Sequence, residues 1–333
     1  HTITVLAGHA YNTDRFDASV IRSNGGYTSA AIETLNAAAG VTGNTTSTKN
    51  VFISYFGRVQ YSYKDKYLLL ASVRRDGSSR FGRSNQFATF PAVSLGWVAS
   101  QEDFMKNIDV LSLLKLRLSY GQNGNNNLGD YASIATIGSY GYAFGATPAA
   151  VIGQAPNVLA NPDLKWEKSK TYDAGIDLGL LHNRIMATVD YYNKTSSDLL
   201  LNVATLGVTG FPASFTNIGQ VRNIGQELEI TSRNLVGQFQ WTTSINLTHN
   251  TNKILALGPG QTQTIIPNGF TVSDAILRVG SPINSIYVLK VIGFLTADDI
   301  AKKVPMYGTN EQVGDFKFQD INNDGVITEA DKQ

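Results

Sequence analysis

The sequence predicts an all-β protein: a transmembrane, antiparallel, up-and-down β-barrel, held here as about nine or ten strands of a larger barrel, with long extracellular loops. Three observations predict it. Apolar and polar residues alternate with period two in segment after segment, so each strand has one apolar and one polar face. The alternation persists for about ten residues or more, the reach of a tilted membrane-spanning strand, whereas strands of soluble sheets usually stop near five or six. Connections alternate short and long, a sorting that a membrane barrel has and a soluble sandwich has no reason to adopt.

The hairpin from Lys165 to Lys194 carries the pattern most fully. Tyr172, Ala174, Ile176, Leu178 and Leu180 share one face of its first strand, and Thr171, Asp173, Gly175, Asp177 and Gly179 share the other. In its second strand Ile185, Ala187, Val189 and Tyr191 oppose Thr188, Asp190, Tyr192 and Lys194. The short turn Leu181-His182-Asn183-Arg184 makes the two strands antiparallel neighbours.

The remaining strands are read in order. Residues 2–9 alternate on Ile3, Val5 and Ala7, and a polar, Gly-rich excursion follows from Tyr11 to Asn50. Strand 51–61 aligns Val51, Ile53, Tyr55, Val59 and Tyr61; strand 67–75 aligns Tyr67, Leu69, Ala71 and Val73; strand 90–98 carries Val93, Leu95 and Trp97. Gln101–Asn107 is the best candidate for a short helix. Strand 113–120 alternates Leu114, Leu116, Leu118 and Tyr120 with Lys115, Arg117 and Ser119, and a long loop then runs to Pro162. After the hairpin come 223–233, with Ile224, Leu228 and Ile230, and 239–249, with Phe239, Trp241, Ile245 and Leu247. Leu116, Leu118, Ile176, Leu178, Ile185, Val189, Ile245 and Leu247 are expected to face lipid. The turns at 63–66, 181–184 and 235–238 are expected on the periplasmic side, and the loops at 121–164 and 196–220 outside.

Composition narrows the function classes. Lys and Arg total 27 against 26 Asp and Glu, so no basic surplus points to nucleic acid. There are no cysteines, which excludes disulfides, thiolate metal sites and cysteine nucleophiles. No apolar run is long enough for a membrane helix, and a barrel needs none, because its backbone groups pair between strands. The four histidines are scattered, and no HExxH, G-x-S-x-G, phosphate-binding or dinucleotide motif occurs, so no enzyme is indicated.

One chemical motif is sharp. Asp320, Asn322, Asp324, Thr328 and Asp331 place oxygen side chains at positions 1, 3, 5, 9 and 12 of an EF-hand-type loop, with Gly325 at the sharp turn. The backbone carbonyl of Val326 completes a candidate Ca²⁺ donor set. The same residues also read as an Asx-rich turn that binds no metal. Tyr140, Tyr142 and Phe144, in SYGYAFG (139–145), are candidates for stacking on a sugar substrate, or for packing against their own loop or a partner. Asp173, Asp177, Glu227, Glu229 and Arg233 fall on polar faces, where they line a solute path or pair with one another.

Several stretches together resemble the SusC/RagA family of TonB-linked outer-membrane transporters. They are YFGRVQYSYKDKYLLLASVRRDGSSRFG (55–82), FPAVSLGWVASQEDFMKN (90–107), LKLRLSYGQNGN (114–125), NPDLKWEKSKTYDAGIDLGLL (161–181), RIMATVDYYNKTSSDLLL (184–201), GQELEITSRN (225–234) and GDFKFQDINNDGVITEADKQ (314–333). The resemblance implies a bacterial outer-membrane location and import of glycans or peptides. It implies a SusD-like surface lipoprotein as partner, and a TonB complex engaged through a plug that lies outside this sequence. On this reading the chain is an internal fragment, with 1–255 carrying barrel strands and their loops. Residues 256–333 form an extracellular excursion ending in the acidic loop, with 283–295 extended but not lipid-facing. The alternatives are a passive porin or surface adhesin barrel, and a soluble β-sandwich binding module.

Overall fold

The structure, a computed structural model, describes residues 1–27, 31–32, 34–144, 149–270 and 273–333. Its strands in chain order are β1 (Thr2–Tyr27), β2 (Ala38–Tyr63), β3 (Tyr67–Ser78), β4 (Phe87–Val98), β5 (Leu111–Asn125), β6 (Ile137–Phe144), β7 (Ala149–Pro156), β8 (Glu167–Leu180) and β9 (Ile185–Ser197). They continue with β10 (Leu200–Ala204), β11 (Ala213–Asn217), β12 (Gln220–Val236), β13 (Gln240–Ala256), β14 (Gln263–Phe270), β15 (Ser273–Arg278), β16 (Ser285–Val288) and β17 (Val291–Phe294). Helix α1 (Ala297–Lys302) and β18 (Phe316–Phe318) come last.

Nine strands form one sheet in the order β1-β2-β3-β4-β5-β8-β9-β12-β13. Each neighbour is the next strand in the chain once the loop hairpins β6–β7 and β10–β11 are set aside, which is the up-and-down order the alternation predicts. The sheet does not close on itself; β1 and β13 are its edges, as a partial barrel requires.

The burial pattern is inverted relative to a soluble sheet. Leu118, Val189, Ile245 and Leu247 are 58, 47, 48 and 59% exposed, while Ser54 and Asp76 on the polar side are 0 and 7% exposed. Water would punish that arrangement; hydrocarbon on the apolar side rewards it. Rings mark the ends of the apolar band. Trp97 pairs across from Tyr67 at the short-turn end, and Tyr120 pairs across from Tyr172 at the other, ring centroids 5.0 Å apart.

The short turns are built as the strand twist demands. Lys64 and Asp65 both have positive φ, closed by a hydrogen bond from Lys66 N–H to the Tyr63 carbonyl at 3.0 Å, the geometry that matches right-handed strand twist. Leu181, His182 and Asn183 do the same between β8 and β9. The 99–110 connection is not the predicted helix at Gln101–Asn107 but two 3₁₀ turns, Ala99–Gln101 and Asp103–Met105. Between them Glu102 accepts bonds from Tyr67 Oη (2.7 Å), Lys66 Nζ (3.0 Å) and Trp97 Nε1 (3.2 Å). Those donors hold its carboxyl below the usual carboxylate range.

The largest departure from expectation lies between Tyr11 and Asn50. Most of this excursion is strand: β1 and β2 pair without interruption from Thr2↔Ser62 to Asn24↔Gly40. Apolar alternation fades there because both faces meet water, while backbone pairing continues. Similarly, the loop before Pro162 contains an antiparallel hairpin, β6–β7, registered from Ile137↔Pro156 to Phe144↔Ala149.

By contact density the chain divides into two compact units, His1–Asn217 with Glu227–Leu247, and Ile218–Gln226 with Thr248–Gln333. The second unit has its own core, including Ile254, Leu257, Ile276, Leu289, Leu295 and Ile327. Its later strands form the sheets β14-β15-β16 and β17-β18. Lys332, its side chain 1% exposed, pairs with Asp274 at 2.8 Å.

Candidate functional site

The polar face of the nine-stranded sheet carries a connected charge network. Arg117 on β5 donates from Nε and Nη2 to the two carboxylate oxygens of Asp177 on β8, 3.0 Å each, and from Nη2 to Asp190 on β9 at 2.8 Å. Thr188 Oγ1 donates to Asp177 at 3.4 Å, and Lys115 Nζ lies 3.9 Å from it. The strand register makes this possible. Arg117 is opposite Gly175, which is opposite Asp190, and a Cβ at Gly175 would overlap Asp190 Oδ1 and the guanidinium. The glycine therefore provides the space in which one arginine spans two strands. Of the polar-face residues singled out from sequence, Asp177 belongs to this network, and Asp173 sits two positions along β8 from the central Gly175. Glu227, Glu229 and Arg233 are exposed on β12, and no ion pair among the described residues includes them. Asp190 and Arg117 join through register, which alternation alone does not supply.

At the long-loop end the same unit holds an aromatic core. Phe81, Phe90, Leu128, Leu164 and Trp166 are buried together, with Phe52, Leu200 and Phe215 against them. The Trp166 ring lies 5.2 Å from Phe81 and 5.6 Å from Phe90, and its Nε1 donates to the Gln86 carbonyl at 2.9 Å. The Phe90 ring occupies the place a Cβ of Gly124 would take. Arg80 pairs with Asp130 at 2.8 Å, which also accepts from Asn50 at 3.5 Å. Burial pushes the Asp130 carboxyl up, but the Arg80 and Asn50 donors outweigh it and hold it below the usual range.

The predicted aromatic contacts sit on β6. Tyr140 and Tyr142 share one face and are 49 and 53% exposed. Tyr140 pairs across from Gly153, and the Tyr142 ring lies over the same glycine, where a Cβ would fall. The side chain of Phe144 and all of Gly145 lie outside the described residues.

The acidic loop is wound by its own side chains. Asp320 Oδ2 accepts from Gly325 N–H at 2.9 Å, Asn322 Oδ1 from Asp324 N–H at 3.0 Å, and Asp324 Oδ1 from Val326 N–H at 2.9 Å. Asp320 Oδ1 is buried with no hydrogen-bond partner, a position that favours a cation. Asp331 does something else. Its Oδ1 accepts from Ile321 and Asn322 and its Oδ2 from Thr328, at 2.9, 3.4 and 2.8 Å. With Thr328, whose Oγ1 accepts from Ala330 N–H at 3.2 Å, it forms a capping box. The Thr328, Ile321 and Asn322 donors hold the Asp331 carboxyl low against burial. Among the described residues no three Asp, Glu or His side chains stand as a metal-binding group. The candidate Ca²⁺ donors Asp320, Asn322, Asp324, Thr328 and Asp331 all also accept backbone amides, and the Val326 carbonyl stands with them in the loop.

Comparison with known proteins gives a consistent result. Residues 2–287 match the family model described as TonB dependent receptor-like, beta-barrel. TonB-dependent receptor P39 of Formosa agariphila is 38% identical over 306 residues, 90% of this chain and 28% of that protein. TonB-dependent receptor SusC of Bacteroides thetaiotaomicron is 36% identical over 300 residues, 86% of this chain and 28% of that protein. The RagAB peptide importer in its closed-closed state matches with a TM-score of 0.78 at 26% identity, over 99% of this chain and 35% of that one. The chain thus spans between a quarter and about a third of the length of these relatives.

Proposed function

The chain belongs to the TonB-dependent receptor β-barrel family, and from that premise we propose that the full protein imports oligosaccharides or peptides together with a SusD-like surface lipoprotein, energised through TonB. The family consists of outer-membrane barrels that are receptors and transporters, not enzymes. The observation that carries the reading is the inverted sheet: apolar residues outward, and an inner wall where Arg117, Asp177 and Asp190 meet. Such a wall suits polar solutes. SusC and the RagAB peptide transporter, among the matches, support glycan or peptide as the cargo class. Tyr140 and Tyr142 have the flat apolar surface that stacks on sugar rings.

Growth of the source cell on a defined glycan or peptide as sole nutrient tests this. Deleting the gene, or the TonB gene, should each abolish uptake. Uptake that survives loss of TonB means a passive porin and overturns the reading.

The acidic loop is proposed to bind Ca²⁺ through Asp320, Asn322, Asp324 and the Val326 carbonyl, with Thr328 and Asp331 closing the loop from behind. Bound Ca²⁺ would neutralise the clustered carboxylates and stiffen the loop. Calorimetric titration of the full protein with CaCl₂ should show one site, lost in Asp320→Asn with Asp324→Asn. Equal titration of wild type and variant would contradict it.

A further inference from the structure

We propose that the lipid face between β3 and β9 holds a phosphorylated, multiply acylated glycolipid of the outer leaflet. One acyl chain lies in a groove over Ala174, and the phosphates meet Lys170 and Arg75. The inference rests on the outer-membrane reading above, with the short turns toward the periplasm, and not on the cargo.

Val93 and Leu95 on β4, Leu118 on β5 and Ala174 on β8 line a concavity of about 360 Å³ whose wall is nearly all apolar. Tyr120 and Tyr172 stand at its outer end, and Tyr191 on β9 at its side. Ser119 and Asp173 border it along the backbone, but by alternation their side chains belong to the other face. Register explains the hollow. Ala174 pairs across from Leu118 on one side and Tyr191 on the other. Tyr172 and Ile176 flank it along β8 on the same face. A methyl group among four larger side chains leaves a depression, and a flexible hydrocarbon chain supplies the contacts missing there.

Two cations lie on this face beyond the ring band. Lys170 is exposed at the next outward position past Tyr172 on β8. Arg75 is exposed near the outer end of β3, across from Tyr55 and Thr89, with its guanidinium 5.3 Å from the centroid of the Phe87 ring. No ion pair among the described residues includes either. Nor does a carboxylate share their face. The acidic residues of β3, β4, β5, β8 and β9 are Asp76, Glu167, Asp173, Asp177 and Asp190, and by alternation all five fall on the opposite one. At the short-turn end cations come with carboxylates instead, Lys66 with Glu102 at 3.0 Å and Lys106 with Asp103 at 2.6 Å. A positive rim without acids, at one end only, fits a ligand whose anionic head sits at that end.

The groove and the rim together select the ligand class. A soluble phosphate uses the cations and leaves the groove empty. A neutral lipid fills the groove and leaves the cations unmatched. A phosphorylated lipid uses both: arginine offers a fork to phosphate oxygens, and lysine reaches them with its alkyl stem laid over the rings. The outer end places the head in the outer leaflet, where the phosphorylated lipid is a glycolipid.

The test is native mass spectrometry of the delipidated full protein in detergent, titrated separately with lipid A and with phosphatidylglycerol. Wild type should retain lipid A at least tenfold more tightly than the double variant Arg75→Gln with Lys170→Gln. Ala174→Leu, which fills the groove and leaves both cations, should also weaken lipid A at least tenfold. Heat-dependent gel migration confirms that each variant is a folded barrel before it is titrated. Equal retention by wild type and the double variant overturns the proposal, and so does wild-type retention by Ala174→Leu. Phosphatidylglycerol held as tightly as lipid A overturns it in favour of a phospholipid. These results leave the import reading standing. Asn127→Cys, in the loop beyond β5, should react with an impermeant reagent on intact cells; a cysteine shielded there until the cells are lysed would put this end in the periplasm, overturning the topology and the proposal with it.

Discussion

Arg117 is the residue on which the inner wall depends. It satisfies two carboxylates from neighbouring strands, and its removal leaves both unpaired on a half-buried surface. Arg117→Ala should cost about 1–3 kcal/mol in unfolding of the full protein from lipid vesicles. Arg117→Lys should restore only part, because an ammonium does not fork between two carboxylates. Gly175→Ala should be destabilising by itself and nearly neutral in the Arg117→Ala background, since both changes disturb one interaction. Additive costs would show that the network is ornamental. Asp331 makes a prediction in pH. Its carboxyl is held low by the Thr328, Ile321 and Asn322 amides, so its contribution is present above the unfolded value, about 3.9, and is lost as pH falls through the lower folded value. The melting-temperature difference between wild type and Asp331→Asn should therefore be largest near neutrality and shrink as pH falls from the unfolded value through the lower folded one. A difference that grows in acid would reverse the assignment.

At the scale of elements, what reads from sequence and what does not divides along the membrane boundary. Where one face meets hydrocarbon, as in 114–120 and 172–180, alternation is obligatory and the strands are plain. Where both faces meet water, as in residues 11–27 and 38–50, nothing forces an apolar stripe, and the strands are hidden in a polar composition although their pairing is continuous. The β6–β7 hairpin is hidden for the same reason. Trp166 is hidden differently. It precedes β8, so extending the outward parity of Tyr172 to it fails where regular strand ends, and the ring turns into a core with Phe81 and Phe90. The Arg117 network needs inter-strand register, which a single sequence does not state; the facing Gly175 was its one visible trace. Asp331 fits the twelfth position of a calcium loop by spacing, and the backbone amides that its oxygens also accept are contacts that spacing does not state. Trp166→Ala should open a cavity costing about 3–5 kcal/mol and expose the loops 79–86 and 157–165 to protease, with the sheet intact. Unchanged cleavage would mean the core does not hold these loops.

At the scale of the molecule, one face of the nine-stranded sheet meets lipid and the other an aqueous interior. Strand order, loop sorting and the ring bands at both ends agree with it, and so does a burial pattern in which Leu118 is exposed and Ser54 is not. The most direct measurement places a nitroxide, one at a time, at Leu116, Arg117, Leu118 and Ser119 of the full protein in lipid vesicles, and compares relaxation by oxygen with relaxation by a water-soluble nickel chelate. Oxygen-dominated relaxation is expected at Leu116 and Leu118 and nickel-dominated relaxation at Arg117 and Ser119, a strict period of two. Equal nickel access at all four positions, or the opposite phase, would contradict it.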